Sequence, residues 1–231
     1  MKTLLFLFLP ICLAAQRDAA RLEIGQINLA YSVLTELRTE VDYVMFATHS
    51  STKPIDTERA TLSRSGDSYL YKLGPVETLT TPLFTITADH EDKALILDKV
   101  RGKPSEKQFG LNLEATFDAC EAVIVSSPAP GFRLIQFDLL SSDVERAELR
   151  FDAMSRKMQK VTLFYREAEE WEAGKPPTKA RMEIIYRKQA EKPVFASDLF
   201  SVERFARKVN GRFVPATAFK DYEFHDNTDF Q

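Results

Sequence analysis

The sequence predicts an α+β protein: one large curved antiparallel sheet covered by two or three helices. Three observations carry this. About ten stretches alternate apolar and polar residues with a period of two, and two stretches repeat apolar residues at steps of three and four. A third is the chain from Asp143 to Lys188, read as a meander with one apolar and one charged face.

The first fifteen residues have the pattern of a secretory leader. Met1-Lys2-Thr3 is basic, Leu4 to Leu13 is apolar, and Leu13-Ala14-Ala15 offers small residues for cleavage before Gln16. The apolar run is shorter than the ~20 residues that span a bilayer. Acylation at Cys12 is the alternative, with Ile11 standing where a small residue is usual. Either route predicts export to the periplasm. The expected organisation is a leader over 1–15 and a single domain over 16–231.

A first helix is expected over 18–38, with Asp18 as its cap and Leu22, Ile27, Ala30, Tyr31, Leu34 and Leu37 as its stripe. Strands are expected at Val41–His49, Glu58–Arg64, Ser68–Lys72, Val76–Thr80, Leu83–Thr87 and Ala94–Leu97. Turns at Pro54, Gly66, Gly74-Pro75 and Pro82 separate most of them. A second helix is expected through Phe109, Leu113, Phe117, Cys120 and Ile124, stopped by Ser127-Pro-Ala-Pro-Gly131. Phe132–Leu140 then feeds the meander: Val144–Asp152, a polar turn over 153–157, Met158–Tyr165, a Gly/Pro loop, and Ala180–Tyr186. A helical turn over 201–207, a turn at Asn210-Gly211, a closing strand over 219–224 and a polar tail at His225-Asp226-Asn227 complete the chain.

Composition narrows the function. Net charge is −3, and cations and anions are interspersed without a basic stripe, which argues against a nucleic-acid partner. Seventeen Phe against one Trp favour apolar packing. His49, His90 and His225 lie in three distant regions without metal-ligand spacing, so no metal or cofactor is expected. Asp89-His90-Glu91-Asp92 reads as a solvated turn, and with the leader removed Cys120 has no intramolecular disulfide partner and reads as a buried small hydrophobe. No nucleophile-elbow, zincin or phosphate-loop motif occurs. No enzyme is expected; a hydrolase would need one of the histidines beside Ser or Cys120 in space.

The remaining signal is the apolar face of the meander, a surface suited to an apolar ligand. The candidate ligand-binding residues are Leu149, Phe151, Val161, Leu163, Tyr165, Met182, Ile184 and Tyr186. The order of elements resembles the periplasmic lipoprotein carriers of the LolA/LolB-like superfamily, including their secreted Bacteroidetes members. The resemblance lies in a leader, a first helix, the strand pair Ala60-Thr-Leu-Ser-Arg64-Ser-Gly-Asp-Ser-Tyr-Leu-Tyr71, a mid-chain helix and the meander. Arg64-Ser65-Gly66 matches that family's Arg and turn, with Ser65 where the family has Pro. Asp89-His-Glu-Asp-Lys-Ala-Leu-Ile-Leu97 replaces its Asp-Gly turn and aromatic strand. The resemblance implies an incomplete β-barrel lidded by helices, a lipid or acylated protein as partner in an apolar cavity, a role for Arg64 at the lid, and an outer-membrane or other envelope protein as a further partner. The competing reading is an envelope interaction module with no small-molecule ligand.

Overall fold

The computed structural model describes residues 9–100, 117, 119–140, 142–171 and 174–228, with side chains from residue 15 onward. Helix α1 (Leu9–Ser32) leads into β1 (Glu36–Phe46). Then come β2 (Asp56–Ser65), β3 (Ser68–Leu73), β4 (Val76–Thr80), β5 (Phe84–Asp89) and β6 (Ala94–Lys99). After residues 101–116 the strands are β7 (Cys120–Ser126), β8 (Phe132–Leu139), β9 (Val144–Asp152), β10 (Met158–Glu169) and β11 (Thr178–Ala190). Three short strands finish the chain: β12 (Ala206–Val209), β13 (Arg212–Pro215) and β14 (Glu223–Asp226). Among the described residues twelve strands form one sheet, in the order β14-β6-β5-β4-β3-β2-β1-β11-β10-β9-β8-β7, and β12 and β13 form a separate hairpin. The expected class holds.

The chain divides into two compact units. Residues 1–33, 42–57 and 111–186 make the first; residues 34–41, 58–110 and 187–231 make the second, so β1, β2 and β11 contribute to both. In unit 1 the meander β7–β11 pairs antiparallel throughout. Its core joins Ala20, Ile24 and Ile27 of α1 and Phe117 to Val123, Ile135, Phe137, Leu149, Phe151 and Val161. In unit 2, β2 to β6 pair antiparallel and β14 joins β6 in parallel. Leu70, Leu79, Ile86, Leu95 and Leu97 of these strands are buried with Phe205 and Phe219.

Several turns follow from their residues. Leu73 pairs with Val76 across Gly74-Pro75, and Gly74 takes a φ of 52° that suits a residue without Cβ, before a proline whose ring sets φ. Val209 pairs with Arg212 across Asn210-Gly211, where both residues have positive φ, as a two-residue hairpin loop requires.

The structure corrects the expected helices. α1 ends at Ser32 rather than 38, because Glu36 onward alternates as a strand and buries Leu37, Thr39 and Val41. Leu34 and Leu37 also fit a helical step, which hid the change of period. The second helix is contradicted at its C-terminal half. Cys120–Ser126 is β7, whose consecutive β-branched Val123, Ile124 and Val125 suit a strand that has β8 to pair with. Phe117 is helical and buried, and the rest of that expected helix lies outside the described residues. His225 and Asp226 belong to β14 rather than to a polar tail.

Candidate ligand-binding face

Register brings the predicted residues together in two cross-strand rows. Ile135, Leu149, Val161 and Ile184 form one, and Phe137, Ala147, Leu163 and Met182 form the next. Strand alternation keeps Tyr165 and Tyr186 on the same side. At Tyr165 the pairing skips Glu145, so Tyr165 meets Val144, which packs against the same core.

The helix covers this face unevenly. Leu149, Phe151 and Val161 are sealed against α1 and Phe117. Leu163, Ile184 and Tyr186 are only half-buried at the margin of that core, and Tyr165 and Met182 are also half-buried. On β1, Phe46 lies under the Arg181 guanidinium at 4.2 Å on the opposite face, so Tyr43 and Met45 turn toward the apolar side, and both are half-buried. The sheet therefore carries a dry half under α1 and a half-open apolar strip through β10, β11 and β1.

α1 is held by polar groups as much as by apolar ones. Its buried stripe is Ala20, Glu23, Ile24 and Ile27, followed by half-buried Tyr31; it shares Ile27 and Tyr31 with the expected series, but Leu22 is 64% exposed. Glu23 accepts from Arg133 at 2.9 Å and from Arg156 at 2.6 Å. The Tyr31 hydroxyl accepts the Met158 amide at 3.0 Å. Gln16 accepts the Val125 amide at 2.8 Å, and Arg17 donates to the Cys120 carbonyl at 2.6 Å. The last two occupy backbone groups of β7, an end strand of the sheet. Sequence reasoning missed Glu23, Tyr43 and Arg156. Glu23 sits three residues after Ala20 and one before Ile24, a helical spacing that carries a signal, but a charge there reads as solvated until its partners are known.

The opposite face of the meander stacks cations on rings: Arg146 over Phe164 at 3.8 Å, Arg181 over Phe46, and Arg150 over Phe132 at 4.3 Å. Arg64 lies in unit 2, where its Nε donates to the Gly66 carbonyl at 3.0 Å and its guanidinium stands 5.6 Å from the Tyr69 ring. A separate open cleft of ≈ 470 Å³ in unit 2 is lined by Leu83, Phe84, Phe200, Phe213 and Lys208, among others.

The titratable groups make ion pairs and hydrogen bonds. His49 meets the Tyr165 carbonyl at 3.1 Å and Glu145 at 3.7 Å. His90 meets the Tyr222 hydroxyl at 2.7 Å and Glu77 at 3.7 Å, and His225 meets Glu223 at 3.3 Å. None of these partners is a serine or Cys120. Burial pushes the Cys120 thiol up. The Asp89 carboxylate accepts the Glu91 and Asp92 amides within its turn. Among the described residues no group of three acidic, histidine or cysteine side chains is placed to hold a metal ion. No described helix is long and apolar enough to cross a membrane.

No family model and no curated protein matches the chain. Solved structures do. An uncharacterized conserved protein from Thermus thermophilus matches over 90% of this chain and 99% of its own, with 8% identity and a TM-score of 0.50. A putative outer membrane lipoprotein-sorting protein domain from Vibrio parahaemolyticus matches over 78% of this chain and 94% of its own (8% identity, TM-score 0.37). A LolA superfamily protein from Nitrosomonas europaea matches over 78% and 98% (9% identity, TM-score 0.32). The last is named as a LolA superfamily protein, and the TM-scores of these two are too low to carry an argument. What the chain shares with the Thermus protein is a fold.

Proposed function

We propose that the protein is a non-enzymatic periplasmic carrier that holds a lipid or an acylated partner against the apolar face of its meander. One observation carries this reading: a continuous apolar surface runs out from under α1 into half-buried Leu163, Met182, Ile184 and Tyr186. An acyl chain laid along that strip would gain about 0.8 kcal/mol per buried methylene. Leu149, Phe151 and Val161 become available to it when α1 shifts, and the Glu23 ion pairs set the resistance to that shift. The leader pattern at Met1–Ala15 supports export.

Native mass spectrometry of the protein from its own periplasm, followed by lipid extraction, tests the proposal. The expected result is a discrete bound mass that disappears in Leu163→Asp and Ile184→Asp and persists in Met154→Asp, a fully exposed control on the β9–β10 turn. An apo mass, with no uptake of an apolar fluorescent probe, would reject the carrier.

A second reading, an envelope interaction module, is favoured by Leu22, Leu29 and Val33. These are 64–68% exposed, Leu22 and Leu29 seven residues apart on α1 and Val33 just past its end. Site-specific crosslinking from Leu29 to an envelope protein, with no lipid bound, would select it.

A further inference from the structure

The open cleft of unit 2 is walled by three segments: the β4–β5 turn with Leu83 and Phe84, residues 200–203, and the hairpin β12–β13. On the hairpin, Lys208 and Phe213 are cross-strand partners, so both side chains leave it on one side, and both line the cleft. The turn is tied where it borders the cleft. The Thr81 hydroxyl accepts the Leu83 amide at 3.4 Å and the Phe84 amide at 3.0 Å, and donates to the Phe84 carbonyl at 3.0 Å. Leu83 is thereby held 67% exposed at the lip. Phe84 and Phe213 meet edge to face at 5.2 Å, and Phe200 meets Phe195 in the same way at 5.1 Å. All four rings are half-buried, so the walls keep apolar area for a further ring.

Two charges stand among these walls. Lys208 Nζ lies 5.6 Å from the centre of the Phe213 ring, and Glu203 lines the cleft from the short helical turn before β12. Both side chains are exposed, and among the described residues neither makes an ion pair with the other or with a third group. The cleft therefore offers one cation, one anion and an aromatic wall within ≈ 470 Å³, a volume in the range of small-ligand sites. A ligand with a single charge answers only one of the two side chains, and a hydrocarbon answers neither.

From this arrangement we infer that the unit 2 cleft binds a small aromatic zwitterion, of the chemical class of an aromatic amino acid. Lys208 pairs with its carboxylate, Glu203 pairs with its ammonium, and its ring lies against Phe84, Phe200 and Phe213. The inference uses residues of unit 2 alone and does not depend on the carrier reading, whose face lies in unit 1.

Isothermal titration of the full chain with L-phenylalanine, 3-phenylpropionate and 2-phenylethylamine tests it. The last two keep the ring and carry only the carboxylate or only the ammonium. L-phenylalanine is expected to bind about five-fold more tightly than either, the worth of one solvent-screened ion pair. Lys208→Met keeps the aliphatic stem and should bring L-phenylalanine down to the affinity of 2-phenylethylamine, whose own binding is unchanged. Glu203→Gln should bring it down to that of 3-phenylpropionate. Leu83→Ser removes the apolar lip and should weaken all three probes, which locates their binding in this cleft. All three positions are exposed and lie outside the unit 2 core, so the variants keep the fold. Absence of L-phenylalanine binding overturns the inference. So does equal affinity for the three probes, a preference that survives in either charge variant, or binding untouched by Leu83→Ser. None of these outcomes bears on lipid uptake, by which the carrier reading stands or falls.

Discussion

Glu23 lies on the buried stripe of a helix, where a carboxylate is tolerated only because two arginines from different parts of the meander reach it. Glu23→Gln keeps the shape and removes the charge. It is expected to cost about 1–3 kcal/mol in urea unfolding and to speed hydrogen exchange in α1 more than in β9. Glu77 poses the same problem in unit 2. Burial pushes its carboxyl up, but hydrogen bonds and charge from Lys72 and Arg204 outweigh this and hold it below the ordinary value of 4.5. A folded-state pKa below the unfolded one means that the ion pairs contribute fully above pH 4.5 and are lost as pH falls through the folded value. Melting temperature should therefore drop on acidification below that point, and Glu77→Gln should flatten the drop. A profile that is unchanged in the variant would remove Glu77 from the acid response.

At the scale of elements, α1 is distinguished by how differently its two sides are used. Ile24 is sealed in the core, whereas Leu22 stands in solvent. Ile24→Ala should cost about 2–4 kcal/mol, and Leu22→Ala less than about 0.5 kcal/mol, by denaturant titration. Equal costs would show that the helix is rotated from its described seat. The sequence hid this seat because Leu22, Leu34 and Leu37 make an equally good apolar series, while the actual stripe contains Glu23. The strands were easier to find. β4 and β9 begin and end where their alternation does, and the turns at Gly74-Pro75 and Asn210-Gly211 follow from backbone chemistry that neighbours cannot override. β7 was not legible. Phe117, Cys120 and Ile124 step at helical spacing, and only the presence of β8 to pair with decides for a strand.

At the scale of the whole molecule, each unit has its own core, and three strands, β1, β2 and β11, run through both units. Unfolding either unit removes order from those strands. Calorimetry is accordingly expected to show one transition, and Phe205→Ala in unit 2, at about 3–5 kcal/mol, should lower its midpoint without splitting it. Two resolved transitions would mean that the shared strands do not couple the cores. By itself the sequence determined the class of protein, most strands, the apolar face of the meander and the membership of that face, because alternation along a strand is a local property that pairing only confirms. The tertiary structure decided which part of the face is sealed and which is half-open. It also decided that Glu23 is buried, that Arg64 lies in unit 2, and that Tyr31, Tyr43 and Tyr186 meet at one side of the sheet. These depend on contacts between residues far apart in the chain, and such contacts leave no local period to read.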